Sequence, residues 1–201
     1  YGEFMHVGGN QTIFRLALQE QNIGPGTIVL DTACAVGGNA RWMASLFGCT
    51  VYGNDIDEQA LEVARDLAEI EKISELCTFV KAKVEELPFE DGMFDMVVTT
   101  DVFDPAEVKR VLKPGGSFVA ISLFDDPKIT PLQVAEEWGL ELELSLDVTD
   151  LAFAFNRAKE TEARLLHDSD MIGARELIEI MNESIAPYTR GGRHYIMRLR
   201  K

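Results

Sequence analysis

"VLDTACAVGGNARWMASLFGCTVYGNDID", Val29 to Asp57, decides the fold. A short apolar run ends on Asp31 and breaks into small residues with a glycine pair. Helical spacing follows through "GGNARWMASLFG", and a second apolar run, "TVYGND", closes on Asp55. Strand, tight turn, helix, second strand and terminal carboxylate, in that order, make a unit that holds nucleotide-like ligands. Small residues in the turn let backbone N–H groups approach a ligand, and the helix N-terminus adds the positive end of its dipole. Alanines, Ala33 and Ala35, stand where glycines are usual. Their methyls are expected to hold the backbone at negative φ.

The same rhythm runs outward from this unit. "NQTIFRLALQE" (residues 10–20) reads as an amphipathic helix stopped by "GPG", and "DEQALEVARDLAEIEK" as a helix with an acidic first turn. "CTFVKA", "FDMVVT" (Phe94 to Thr99) and "SFVAIS" (Ser117 to Ser122) read as further strands, the last introduced by the turn "KPGG". Alternating strands and helices imply a mainly parallel sheet covered on both faces, with the ligand loops along one edge. After Ser122 the pattern changes. "TPLQVAEEWG" reads as a helix, "LELELSLDV" as an edge strand, and "RHYIMRLRK" as a final strand. Two helices, near Asp150 to His167 and Met171 to Ala186, form an insertion before that final strand, placed to make a lid or substrate wall.

Composition narrows the function. With 201 residues, one domain is expected over 1–201: a leader and helix in 1–24, a ligand-binding core in 25–123, and a C-terminal part in 124–201 with inserted helices in 150–186. Nineteen basic against 34 acidic residues give a net charge of −15, which repels phosphate backbones, so no nucleic-acid partner is expected. No apolar run reaches the roughly 18 residues of a membrane span, so no membrane partner is expected either. Cys34, Cys49 and Cys77 are odd in number and without a CxxC pair, which argues against a metal site or disulfide framework and suits a cytoplasmic protein. Cys34 reads as a small buried side chain rather than a reactive thiol. Arginines concentrate in "RGGRHYIMRLR" and invite an anionic ligand, but the alternation there is better explained by a half-buried strand with arginines on its polar face.

Four segments together resemble the class I S-adenosylmethionine-dependent methyltransferases: "VLDTACAVGG", "VYGNDIDEQALEVAR", "VEELPFEDGMFDMVV" and "VKRVLKPGGSFVAIS". They cover about Val29 to Ser122, and "MHVGG" (Met5 to Gly9) extends a likeness to small-molecule enzymes of the sarcosine and dimethylglycine type. The resemblance implies an α/β, doubly wound, Rossmann-like sheet of seven mostly parallel strands, whose antiparallel last strand inserts near the fifth. It implies S-adenosylmethionine as cofactor and S-adenosylhomocysteine as product. Asp31, Ala33, Cys34, Ala35 and Gly37 would form the turn under the amino-acid end, with Asp31 fixing it through backbone bonds. Asp55 would accept both ribose hydroxyls, Ile56 would lie on the adenine face, and Val84 matches an adenine-contacting backbone position. Thr99 and Thr100 match positions lining the methionine portion. Lys83 occupies a place where the family often has an aspartate facing the adenine amino group. A lysine accepts no hydrogen bond, so its side chain is expected to turn outward.

A sulfonium methyl is already activated, so the protein must mainly align donor and acceptor and exclude water. A neutral amine acceptor needs no strong base, whereas a hydroxyl or carbon acid does. His6, Asp101 and His167 are weak candidates for a catalytic group, and His194 lacks a matched partner in the sequence. Trp42 and Trp138 read as packing residues, and one of Phe153 and Phe155 as a candidate for the acceptor pocket. Methyl transfer to the nitrogen, oxygen or carbon of a small-molecule acceptor, by a monomer or homodimer, is the leading expectation. A cofactor-binding module with lost or altered catalysis is the alternative.

Overall fold

A computed structural model describes residues 15–124, 126–154 and 191–201. His6, Phe155, His167, most of the N-terminal helix and most of the insertion lie outside them. Strand β1 (Ile28–Thr32) leads through the turn into α1 (Gly38–Phe47), then β2 (Thr50–Asp55), α2 (Glu58–Ile70) and β3 (Cys77–Lys81). There follow β4 (Phe94–Thr100), α3 (Pro105–Val111), β5 (Leu112–Phe124), α4 (Pro131–Trp138), β6 (Glu141–Asp147) and β7 (Arg193–Arg200). The sheet order is β3-β2-β1-β4-β5-β7-β6. Pairings from β3 to β5 are parallel, and β7 runs antiparallel to both β5 and β6. This is the seven-stranded arrangement expected from the sequence.

Both faces of the sheet are covered, which is why the central strands read as continuous apolar runs. Val29, Val51, Val98, Val119 and Ile121 pack on one face against Ala40, Met43 and Ala44 of α1 and Leu61, Ala64 and Ala68 of α2. On the other, Leu30, Val97, Phe118 and Ala120 meet Val108 and Val111 of α3 and Ala135 of α4. Trp138 lies edge-on to Phe103 with ring centroids 5.0 Å apart, a packing role.

Two expectations need correction. Strand β5 is not confined to Ser117–Ser122 but begins at Leu112, so "KPGG" is a bulge inside the strand rather than a turn before it. The cause is long-range pairing. The Gly115 amide donates to the Lys201 carbonyl at 3.0 Å and Lys113 pairs with Asp95, so the glycines stay bound to the sheet at both sides. Strand β7 is not half-buried either. It lies between β5 and β6, and Arg198 is only 8 % exposed.

The caps distinguish one helix from the rest. Asp57, Asp104 and Thr130 accept backbone amides at the starts of α2, α3 and α4. Helix α1 has Gly37 at its N-cap and no capping side chain there. One of its first-turn amides, that of Ala40, is taken instead by Asp31 from the end of β1.

Candidate functional site

At the C-terminal edge of the sheet, β1 and β2 are stitched together through the small-residue turn. The Cys34 amide donates to the Asn54 carbonyl at 2.9 Å, and the Ala35 amide donates to Asp55 Oδ2 at 2.8 Å. The Asp57 amide holds the other oxygen, Oδ1, at 3.0 Å. Two amides thus orient the Asp55 carboxylate, each oxygen keeping lone pairs for a further donor. Asp31, 1 % exposed, reaches past the turn to accept the Ala40 amide of α1 at 3.1 Å. Burial pushes the Asp31 carboxyl up to about 7; the Ala40 N–H pulls against this and the nearby Asp55 charge adds to it.

The turn's backbone contradicts the sequence reading. Ala33 has φ 51° and Ala35 φ 48°, both left-handed rather than negative. The turn needs this conformation to aim its amides, and alanine adopts it at a cost of about 1–2 kcal/mol per residue. Methyls fit at these two positions but not at the neighbouring glycines. A Cβ on Gly37 would lie 2.6 Å from the Phe79 ring, and one on Gly53 would lie 2.7 Å from Cys34 Sγ. Cys34 itself is 1 % exposed, and burial together with Asp31 and Asp55 pushes its thiol far above the usual range, so it is inert packing.

Beside Asp55 lies a pocket of about 150 Å³, lined by Ala33 and Asn54 to Ile56 on one side and by Ala82, Val84, Glu85 and Val102 from the following loops. Ile56 is 67 % exposed, an apolar side chain presented at the edge of this pocket. Lys83 is exposed and is not among the lining residues, as its chemistry predicts. Thr99 and Thr100 point to opposite faces. The Thr99 hydroxyl donates to the Val102 carbonyl at 2.9 Å, and the Thr32 hydroxyl donates to the same oxygen at 3.1 Å, fixing the wall that carries Val102. Thr100 Oγ1 is buried with no partner among the described residues.

Sequence reasoning missed Asn54. Its carboxamide nitrogen donates to the Ala82 carbonyl at 3.3 Å, and its oxygen is buried without a donor among the described residues. Flipping the amide would set oxygen against oxygen, so this orientation is fixed. The signal was an uncharged polar residue at the end of an otherwise apolar strand. The structure also gives His194 surroundings that the sequence did not show. It is 1 % exposed, and its Nε2 lies 3.8 Å from Asp101 Oδ1, an oxygen that also accepts the Leu123 amide at 2.7 Å. Burial lowers the His194 pKa to about 4. Asp101 is therefore turned toward β5 and β7, and its candidacy as a catalytic group gains no support from these contacts. A larger cleft of about 390 Å³ lies at the opposite edge of the sheet, but its Asp95 and Lys113 are paired with each other, and Arg200 with Glu143.

Fold and turn together define a nucleotide-binding α/β domain of the doubly wound class. Residues 30–120 match the model of a methyltransferase domain. The chain is 30 % identical over 146 residues to a sarcosine/dimethylglycine N-methyltransferase of Halorhodospira halochloris, covering 63 % of this chain and 51 % of the relative. It is 31 % identical over 168 residues to the sterol 24-C-methyltransferase ERG6B of Gibberella zeae, covering 75 % and 43 %. The chain thus spans about half the length of these relatives. Among solved structures it superposes on a Haemonchus contortus phosphoethanolamine N-methyltransferase 2 in complex with S-adenosyl-L-methionine, with TM-score 0.80 at 19 % identity, covering 99 % of this chain and 54 % of the other. Residues 30–120 thus form a class I S-adenosylmethionine-dependent methyltransferase domain.

Proposed function

We propose that the protein binds S-adenosylmethionine at the Asp55 pocket and transfers its methyl group to a small-molecule acceptor. The observation that carries this reading is the Asp55 carboxylate, held by two amides at the mouth of the pocket with acceptor capacity to spare. The donor set fits the cofactor. Asp55 is placed to accept ribose hydroxyls, Ile56 and Val84 offer apolar sides for a heteroaromatic ring, and the orphaned Asn54 oxygen calls for an N–H donor of the kind an adenine amino group provides. The start of α1, with glycine rather than a capping side chain at its N-cap, offers the positive end of its dipole to a carboxylate.

When bound, S-adenosylmethionine supplies an activated methyl group. The chain's own residues then orient and enclose: Asp55 fixes the ribose, the α1 turn holds the amino-acid end, and Thr32 and Thr99 hold the wall at Val102 in place. Within a single domain, residues 25–123 hold the cofactor and 124–201 shape the acceptor side. The net charge of −15 favours a neutral or cationic acceptor, nitrogen, oxygen and carbon all remaining open as the methylated atom. Calorimetry with S-adenosylhomocysteine tests the site. Asp55→Ala should weaken binding by about 2–4 kcal/mol, the loss of two charge-assisted hydrogen bonds. Unchanged affinity in a folded variant would remove Asp55 from the site, and a wild-type chain that binds no such ligand would overturn the function.

A further inference from the structure

The pocket wall formed by the loop between β3 and β4 is tied down at both of its ends. At the entry, the Ala82 amide donates to the Asp55 carbonyl at 3.0 Å, and the Ala82 carbonyl accepts from Asn54. At the exit stands a pair on α3, twenty residues further along the chain. Glu107 Oε2 accepts the Leu87 amide at 2.8 Å. Arg110 donates to the Leu87 carbonyl at 2.9 Å and the Phe89 carbonyl at 2.7 Å, and also to Asp91 at 2.9 Å. Glu107 and Arg110 grip one another through two bonds, at 2.7 and 2.8 Å, so neither side chain is free to leave the loop. Each also shifts the other's titration: the Arg110 bond holds the Glu107 carboxyl below its ordinary range, and Glu107 with Asp91 raises the guanidinium.

Only Lys83 to Glu86 spans the gap between the two anchors, closed by a bond from the Glu86 amide to the Lys83 carbonyl. That short span carries Val84 and Glu85, which line the pocket. Helix α3 also follows directly on Val102 to Asp104, so one helix secures two walls of the same pocket.

We propose that Glu107 and Arg110 are positioning residues for the cofactor, setting the distance between the Val84 wall and the Asp55 side without touching the ligand. The inference rests on the functional reading above and names residues that reading leaves unassigned. Three bonds to two backbone carbonyls and an amide need a planar fork and a carboxylate in register, which a lysine or an amide side chain reproduces only in part.

The test uses Arg110→Met, Arg110→Lys and Glu107→Gln in the full chain, with Arg200→Met as control. Arg200 also bonds a carboxylate and a carbonyl, but on the far half of the sheet. Calorimetry should show S-adenosylhomocysteine binding weakened on the order of 10-fold in Arg110→Met, with partial recovery in Arg110→Lys and no change in Arg200→Met. Amide exchange at residues 84–87 should quicken in the two Arg110 variants and in Glu107→Gln while the central strands stay protected. In turnover, KM for the cofactor should rise while kcat holds. A fall in melting temperature with unchanged affinity and unchanged exchange at 84–87 overturns the positioning role and leaves the functional reading standing. Failure of the wild-type chain to bind S-adenosylhomocysteine overturns both. Should Arg110→Met not fold, Glu107→Gln decides by the same two measurements.

Discussion

The acids of β1 and β2 beside the pocket are held differently from those at the far end of the sheet. In the half made by β3, β2, β1 and β4, Asp31 and Asp55 are bound to backbone amides, and neither forms an ion pair among the described residues. In the half made by β5, β7 and β6, cations and anions are matched. Arg198 and Arg200 both bond Glu143, at 3.1 and 2.7 Å, and Arg193 bonds Asp147 at 2.8 Å. Paired charges hold strands together; carboxylates left with amides alone keep acceptor capacity for something that arrives later. The cluster of arginines in the sequence is accordingly part of the fold, and the lone acids mark the site.

The largest effect expected from this contrast is in pH dependence. Burial and the neighbouring Asp55 raise the Asp31 pKa to about 7, from an ordinary aspartate value of 3.8. Between these values the unfolded chain has lost the proton and the native chain has kept it. This contribution is therefore present in full below about pH 4 and fades as pH rises to about 7, by on the order of 2–4 kcal/mol. His194 has the opposite slope. Its pKa is lowered by burial to about 4, so stability is lost as pH falls from about 6.5 toward 4. In the wild-type chain these two slopes largely cancel. Asp31→Asn removes the first, and urea unfolding at pH 8 and pH 5 should then show the variant losing about 2 kcal/mol on acidification while wild type changes little. A variant that tracks wild type at both pH values would show that Asp31 is ionised in the native protein.

A second effect separates stability from binding. Glu143→Ala leaves Arg198, 8 % exposed, with the Gln19 carbonyl at 2.7 Å and a distant Glu20. Stripping a nearly buried guanidinium of its main carboxylate should cost about 2 kcal/mol. Affinity for S-adenosylhomocysteine should not move, since no residue of the pocket is touched. Weakened binding with unaltered stability would mean that the paired half also reaches the site.

Much of this was legible in the sequence, and what was not has a common cause. The strand-turn-helix-strand unit and Asp55 at its end follow from local spacing, and the antiparallel final strand follows from the family resemblance. Asn54, Glu107 and Arg110 do not, because their partners Ala82, Leu87 and Phe89 lie 20 to 28 residues away and meet them only through crossovers. Periodicity tells which face a side chain takes, not which backbone group awaits it. The bulge at "KPGG" was missed for the same reason: its glycines are held by Lys201, at the other end of the chain.

The smallest predicted effect reverses a sign that local reasoning would assign. At an ordinary helical or extended position, replacing alanine by glycine loses stability because the unfolded chain gains freedom. At Ala35 the native φ is 48°, where the Cβ is strained against its own backbone. Ala35→Gly relieves that strain while keeping the amide that Asp55 accepts, and the relief exceeds the entropic loss. The variant should gain about 0.5–1 kcal/mol in urea unfolding, and Ala33→Gly at φ 51° should behave alike. Affinity for S-adenosylhomocysteine should be equal or slightly better, because no hydrogen bond depends on either methyl. Gly37→Ala provides the contrast, since the same methyl there runs into Phe79 at 2.6 Å and must displace the ring or the turn. If Ala35→Gly instead loses stability, its backbone in solution is not left-handed, and the amides of the turn do not aim where the Asp55 pocket needs them.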